Sequence, residues 1–381
     1  MRLTRTSAIS AVALTGALAL TACGSDNNSS GGAAGGAAGG AAGGAAGAGT
    51  TAAGSSAAVG CFSGSLNAEG STAQKNAIEA AIKSYQKACA DATINYNGTG
   101  SGAGIKQFNG GQVDFAGSDS ALKTDEATAA KQRCGSDAWN LPMVTGPIAM
   151  AYNVKGVDKL VLNASVAAKI FNGVITTWND PAIAALNSGA TLPSTPIKVF
   201  FRSDDSGTTE NFTNYLKAAA GTDWTAAAAK KWSGKGEGKQ GSAGVSSAVA
   251  STDGGITYTE WSYVTQNKLQ MAQVDSGAGP VTLDGNTAGK AVAAAKQSGS
   301  GNDLSLKLDY ATKAAGVYPI VLVTYEIVCS KYADAAKGKN VKAFLTSFAS
   351  DTTQSGLTQI GSAPLPAEVK SKVQAAVAAI G

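Results

Sequence analysis

The sequence contains no histidine among its 381 residues. That excludes Ser-His-Asp and Cys-His nucleophile chemistry and every metal centre that requires imidazole. Charged residues make up only 15% of the chain and aromatics 6%. Lysine plus arginine total 30 against 26 acidic residues, a net +4, and two of the arginines, Arg2 and Arg5, lie in a leader described below. So small an excess does not make a nucleic-acid-binding surface. With 44% hydrophobic residues the chain still has material for one large core or two ordinary ones. Glycine, at 48 residues, exceeds the usual ~7%, and much of the excess is local.

Residues 1–6 carry two arginines, and 7–20 form an apolar run short of the ~18 to 20 residues that span a bilayer as a helix. Residues 1–22 therefore read as a secretory signal. The stretch Leu20-Thr21-Ala22-Cys23-Gly24 resembles the lipobox of bacterial lipoproteins, which implies cleavage before Cys23 and lipidation of that residue. Residues 23–58 are almost wholly small or polar, with a repeated Gly-Gly-Ala-Ala unit, and can bury no core. As a flexible tether this segment reaches ~30 to 35 Å on average.

Four cysteines remain: Cys61, Cys89, Cys134 and Cys329. In an exported chain an even set favours two disulfides, with three pairings possible. Cys61 opens the first expected strand and Cys89 closes the helix after it, which favours that pair and leaves Cys134 for Cys329.

From residue 60 onward, strand-like runs alternate with helical patterns, the signature of an α/β class. Strands are expected at 62–66, 93–96, 113–116, 148–153, 197–201, 256–258 and 317–328. A helix from Thr72 lines Ile78, Ile82, Tyr85 and Cys89 along one stripe, and one from Ser206 does the same with Phe212, Tyr215 and Leu216. About 320 residues is long for one open sheet, so two domains are expected. Trp178, Trp224, Trp232 and Trp261 read as core or hinge packing. Lys235, Lys239 and their glycines read as a solvated hairpin with no role; residues 234–239 fail the P-loop spacing, and Gln240 stands where a P-loop needs Ser or Thr.

One design occurs three times. Strand 62–66 runs into Asn67-Ala68-Glu69-Gly70-Ser71-Thr72 and a helix. Strand 93–96 runs into Asn97-Gly98-Thr99-Gly100-Ser101-Gly102-Ala103-Gly104 and a helix near Ile105. Strand 197–201 runs into Arg202-Ser203-Asp204-Asp205-Ser206-Gly207-Thr208-Thr209 and a helix. Each turn offers backbone N–H groups, hydroxyl donors and the positive end of a helix dipole, which suits an oxyanion. A single such turn is an ordinary N-cap worth ~1 kcal/mol. Three, one of them with an arginine, point to a shared anion. The alternating glycines miss G-x-G-x-x-G, which would need glycine at Ala103, so neither a nucleotide nor any other cofactor is indicated.

Five runs carry a resemblance: Thr99 onward through Gln107, Val113-Asp114-Phe115-Ala116-Gly117-Ser118-Asp119, Ile175-Thr176-Thr177-Trp178-Asn179-Asp180-Pro181-Ala182-Ile183, Arg202 onward through Thr209, and Gly254-Gly255-Ile256-Thr257-Tyr258. In order, over roughly residues 61–375, they resemble the substrate-binding lipoprotein of the bacterial high-affinity phosphate ABC transporter. The resemblance implies a type II periplasmic-binding-protein fold, two α/β domains joined by two crossing strands and closing on the ion. Domain I would take 59–145 and 318–381, and domain II 146–317.

Carried over by position, phosphate would be held by Thr72, Ala73, Ser101, Asp119, Arg202, Ser206, Gly207 and Thr208, with Asp204 orienting the arginine. Relatives often carry a larger apolar residue at Ala73, a change that a backbone donor tolerates. The partners implied are inorganic phosphate, the membrane permease subunits of an ABC importer, and the outer face of the cell membrane through the lipid anchor. Nucleic acid is not among them, and the chain would act as a monomer.

A dehydrated phosphate needs many short-armed donors, which backbone N–H groups, Ser, Thr and one bidentate Arg supply. Asp119 can only accept, so it requires an anion that still carries a proton; phosphate does at neutral pH and sulfate does not. A mismatch of ~4 to 5 kcal/mol would give about a thousandfold discrimination. Arsenate, sulfate or molybdate are the alternative cargoes. A phosphatase on the same fold is a more distant alternative, since Ser71, Ser101, Ser118 and Ser206 have no histidine base and no carboxylate pair is spaced for two metals.

Overall fold

A computed structural model describes residues 60–381. The leader, the tether and Cys23 lie outside the described residues. In chain order, the elements that position the site begin with β1 (Gly64–Gly70), α1 (Lys75–Ala88), β2 (Ala92–Gly98), α2 (Ser101–Asn109), β3 (Phe115–Ser118), α3 (Thr124–Cys134) and β4 (Ala138–Asn153). They continue with α4 (Ala164–Phe171), β5 (Lys198–Arg202), α5 (Gly207–Ala219), β6 (Glu237–Lys239), α6 (Gly241–Ala250), β7 (Gly255–Glu260), α7 (Trp261–Asn267) and β8 (Gln270–Met271). The last are β9 (Val321–Cys329), α8 (Ala335–Phe348) and α9 (Ala367–Ala378).

These nine strands make one mixed sheet in the order β2-β1-β3-β9-β4-β7-β5-β6, with β8 paired to β4 off that path. At one end β1 lies parallel to β2 and β3, and at the other β5 lies parallel to β6 and β7. Between them run the two long strands β4 and β9, antiparallel to each other. β9, Val-Leu-Val-Thr-Tyr-Glu-Ile-Val-Cys, is buried at every position, as a β-branched run in the middle of a sheet should be.

The buried apolar side chains fall into two cores. One gathers Leu66, Ile78, Phe108, Phe115, Phe344 and Val373; the other gathers Ile148, Trp178, Phe212, Trp224 and Tyr258. β4 serves both, placing Leu141, Met143 and Val144 in the first and Ile148, Met150 and Tyr152 in the second. β9 crosses the other way, with Val321 and Val323 in the second core and Ile327 and Val328 in the first. Two strands therefore tie two lobes together. The disulfides are Cys61–Cys89 and Cys134–Cys329, with Cα atoms 5.3 and 5.5 Å apart.

Several expected boundaries are corrected. β1 occupies Gly64–Gly70 rather than 62–66, because Asn67 to Gly70 remain paired between β2 and β3 with Leu66 and Ala68 facing the core. β3 likewise runs later than 113–116. Strand 148–153 is only the last part of the 16-residue β4. Pro142 sits at a register shift opposite Tyr325, and Pro147 lies where β4 leaves β9 for β7, positions at which a missing N–H is tolerated. α1 starts at Lys75 rather than Thr72, and α2 at Ser101 rather than near Ile105. The expected hairpin around Lys239 is instead β6, a parallel edge strand held to β5, with Ser203 N–H donating to the Lys239 carbonyl at 3.0 Å.

Candidate functional site

Four helices start at one place. The turn Ser71–Gln74 leads into α1, Ser101 opens α2, Ser206 caps α5 by accepting from Thr209 N–H at 3.1 Å, and Gly241 opens α6. Each N-terminus carries N–H groups outside the intrahelical ladder and the positive end of a dipole; at α6 the first two are taken up, Gly241 N–H by Asp204 Oδ1 at 3.0 Å and Ser242 N–H by Thr72 Oγ1 at 3.3 Å. A Cβ on Gly207 would lie 2.5 Å from Asp119 Cβ and 2.6 Å from Ser101 Oγ, so α5 of one lobe butts against the other lobe's turns. Gly100, at φ +104°, sits where a Cβ would lie 2.6 Å from Asp204 Oδ2, an approach and a backbone angle that both require glycine.

Asp119, which follows β3, is 3% exposed and is the focus of the hydroxyl groups. Ser71 Oγ and Thr324 Oγ1 donate to its Oδ1 at 2.5 and 2.8 Å, and Ser101 Oγ donates to Oδ2 at 3.0 Å. Burial pushes its carboxyl up to about 6, with the Glu260 carboxylate adding to the rise and the three hydroxyls opposing it. At pH 7 Asp119 remains an acceptor. Across the lobes, Asn211 Nδ2 donates to the Asp119 carbonyl at 2.8 Å.

Arg202 ends β5, 2% exposed, and is gripped by Asp204: Nε to Oδ1 at 2.8 Å and Nη2 to Oδ2 at 2.5 Å. Burial opposes charge on Asp204, yet the guanidinium outweighs it and holds the carboxyl below the usual range. Nη1 is left to face Ser242 Oγ at 2.9 Å and Thr208 Oγ1 at 3.2 Å. Ser242 Oγ in turn lies 3.0 Å from Thr72 Oγ1, and Tyr263 O–H donates to the Thr72 carbonyl at 2.8 Å.

The structure thus gathers Thr72, Ser101, Asp119, Arg202, Asp204, Gly207 and Thr208 around one point on the seam between the lobes, with Ala73 and Ser206 adjoining. Ala73 N–H is engaged by Ser71 Oγ at 3.0 Å, and Thr208 O–H by Glu260. Sequence reading overlooked Ser71 and Thr324 as Asp119 donors, Ser242 beside Arg202, and Glu260. Thr324 and Glu326 are polar interruptions of an apolar strand, a usable signal; Gly241-Ser242 follows a strand too short and polar to announce a helix start.

The two-lobed sheet and its cluster of helix N-termini define a solute-binding protein. The family model described as the PBP superfamily domain matches residues 13–352. The chain is 49% identical over 386 residues to phosphate-binding protein PstS 3 of Mycobacterium tuberculosis, covering 100% of both. It is 46% identical over 388 residues to phosphate-binding protein PstS 2 of the same organism, again covering 100% of both. The chain belongs to the PstS family of phosphate-binding proteins. Among solved structures, the phosphate-binding protein from Stenotrophomonas maltophilia shares the fold with a TM-score of 0.65 at 21% identity, covering 82% of this chain and 94% of that one.

Proposed function

We propose that the chain binds inorganic phosphate between its lobes and hands it to the permease of an ABC importer. The observation that carries this reading is the pairing of a buried acceptor, Asp119, with a surround of helix N-termini, hydroxyls and one arginine already neutralised by Asp204. Hydroxyl and N–H donors satisfy the anion's oxygens, while Asp119 accepts the proton that phosphate retains at neutral pH and sulfate lacks. Thr72, Ala73, Ser101, Arg202, Ser206, Gly207 and Thr208 are the remaining contacts. The lobes are 59–145 with 318–381, and 146–317, with β4 and β9 as the hinge on which they close.

The protein works as a receptor rather than an enzyme, as a monomer held at the outer face of the membrane by lipid on Cys23. Fatty-acid labelling that is equal in wild type and Cys23→Ala would refute the anchor. Calorimetry of the purified protein tests the main reading: phosphate and its protonated mimic arsenate should bind, and sulfate and molybdate should bind at least about a thousandfold more weakly. Equal affinity for sulfate would overturn it.

A further inference from the structure

Asp119 has two carboxylate oxygens, and the structure puts them to different uses. Oδ2 lies at the seam: a Cβ on Gly207 of the opposite lobe would stand 2.7 Å from it, and Ser101 Oγ is 3.0 Å away. Oδ1 is taken up by two hydroxyls, Ser71 at 2.5 Å and Thr324 at 2.8 Å. The three donors are not equivalent. Ser101 Oγ also accepts from Asp119 N–H at 3.1 Å and opens α2, and Ser71 Oγ also accepts from Ala73 N–H in the turn before α1. The Thr324 hydroxyl makes no other hydrogen bond among the described residues.

The backbone brings Thr324 to this place. β9 pairs antiparallel with β3 as far as Tyr325 opposite Ser118, and one step further along that register sets Thr324 opposite Asp119. On the other side of β9, Thr324 pairs with Val144 but Tyr325 with Pro142, so Met143 is passed over and the ladder is bulged there. Bulges re-aim side chains. This one falls where β9 passes between the cores, with Val323 in one and Ile327 in the other. Thr324 is fully buried in the middle of a sheet, where valine would pack as well without a hydroxyl to desolvate. Its hydroxyl has one visible use, the bond to Asp119.

We propose that Thr324 is a positioning residue for the anion acceptor: its hydroxyl fixes Asp119 Oδ1, so that the carboxylate presents Oδ2 to the anion. The inference deepens the phosphate reading above and rests on it. The titratable groups that face Asp119 are Glu260 from β7, Glu326 from β9, Tyr96 from β2 and Tyr263 from α7. From α5 comes Glu210, which Lys123 and Lys230 already neutralise, and Arg202 of β5 is gripped by Asp204. No free cation is among them, so the hydroxyl donors are what favour the ionised form of Asp119.

The test is calorimetry of phosphate and of sulfate binding to the purified protein at about pH 5 and about pH 8, with Thr324→Val and Thr324→Ser beside the wild type. Valine keeps the shape and loses the donor; serine keeps the donor. Sulfate brings no proton, so it binds best when Asp119 has taken one up. Removing a donor to the carboxylate moves that uptake about one pH unit higher. In Thr324→Val the preference for phosphate over sulfate should therefore fall about tenfold at about pH 8, with the gap to wild type closing toward about pH 5. Thr324→Ser should recover the wild-type profile. An unchanged preference in Thr324→Val, a loss equal at both pH values, or a serine variant that behaves like the valine one would each overturn the proposal. If Thr324→Val fails to fold, a crystal structure of the wild type with phosphate decides: Thr324 Oγ1 should lie within hydrogen-bonding distance of one Asp119 oxygen and phosphate within that distance of the other, and a Thr324 hydroxyl turned away overturns the proposal. A wild type that binds no phosphate overturns the proposal together with the reading beneath it, whereas phosphate binding with an unchanged Thr324→Val profile overturns only the proposal.

Discussion

At the scale of single residues, the account turns on two buried acids held in different states. Asp119 is ionised at neutral pH and bonded by three hydroxyls. Replacing it with asparagine gives the site a donor that a fully ionised oxyanion can use. Asp119→Asn should therefore lower the preference for phosphate over sulfate from about a thousandfold toward about tenfold, read by calorimetry, and an unchanged ratio contradicts the role. Glu326, two residues beyond Thr324 on β9, is fully buried, and among the described residues neither of its oxygens nor the nearby Gln74 Oε1 has a hydrogen-bond partner. Burial raises its carboxyl to about 8, with the Asp119 charge adding to the rise, so at pH 7 it is a neutral acid able to donate its proton. The unfolded chain releases that proton near the ordinary 4.5 while the folded chain keeps it up to about 8. Across that window the unfolded state binds fewer protons, so stability falls as pH rises and stays low above it. Glu326→Gln removes the loss. Its gain in melting temperature should be larger at about pH 8.5 than at about pH 5, an effect on the order of a few kcal/mol, and equal shifts at both would contradict it.

At the scale of elements, the decisive parts are helix N-termini, and Gly207 is where two lobes meet at one of them. A methyl group there would collide with Asp119 and Ser101, so Gly207→Ala should leave melting nearly unchanged but weaken phosphate binding by about a hundredfold or more, since one misplaced turn disorders the cradle. Wild-type affinity in that variant would contradict the close approach. The helices α1 and α5 were legible in the sequence because their apolar stripes, Ile78 with Ile82 and Tyr85, and Phe212 with Tyr215 and Leu216, are local patterns. Strands were harder to read. The end of β1 is set by pairing with Ala92 to Gly98, far along the chain, and β6 is Glu-Gly-Lys, with no apolar signature at all. α6 went unread with it, and Ser242 along with α6. Thr208 and Glu260 are 52 residues apart, and no spacing rule joins them.

At the scale of the whole molecule, the lobes are held together by more than the anion site. Lys123 and Glu126 near the start of α3 face Glu210 and Lys230 of the other lobe, at 3.2 Å for Lys123–Glu210 and 3.5 Å for Lys230–Glu126, and within that lobe Lys230 and Glu210 lie 3.4 Å apart. Asn211 adds a bond across the seam to the Asp119 carbonyl. The two-lobe division and the two crossing strands could be anticipated from length and from family resemblance, but not which residues of β4 and β9 enter each core, which only three-dimensional pairing reveals. The central claim is that these lobes close around a single protonated oxyanion. A crystal structure of the protein grown with phosphate tests it most directly. The account predicts one tetrahedral ion bonded to Ser101, Arg202 and the Gly207 N–H, with one of its oxygens within hydrogen-bonding distance of an Asp119 carboxylate oxygen. Phosphate bound elsewhere, out of reach of Asp119, would contradict it.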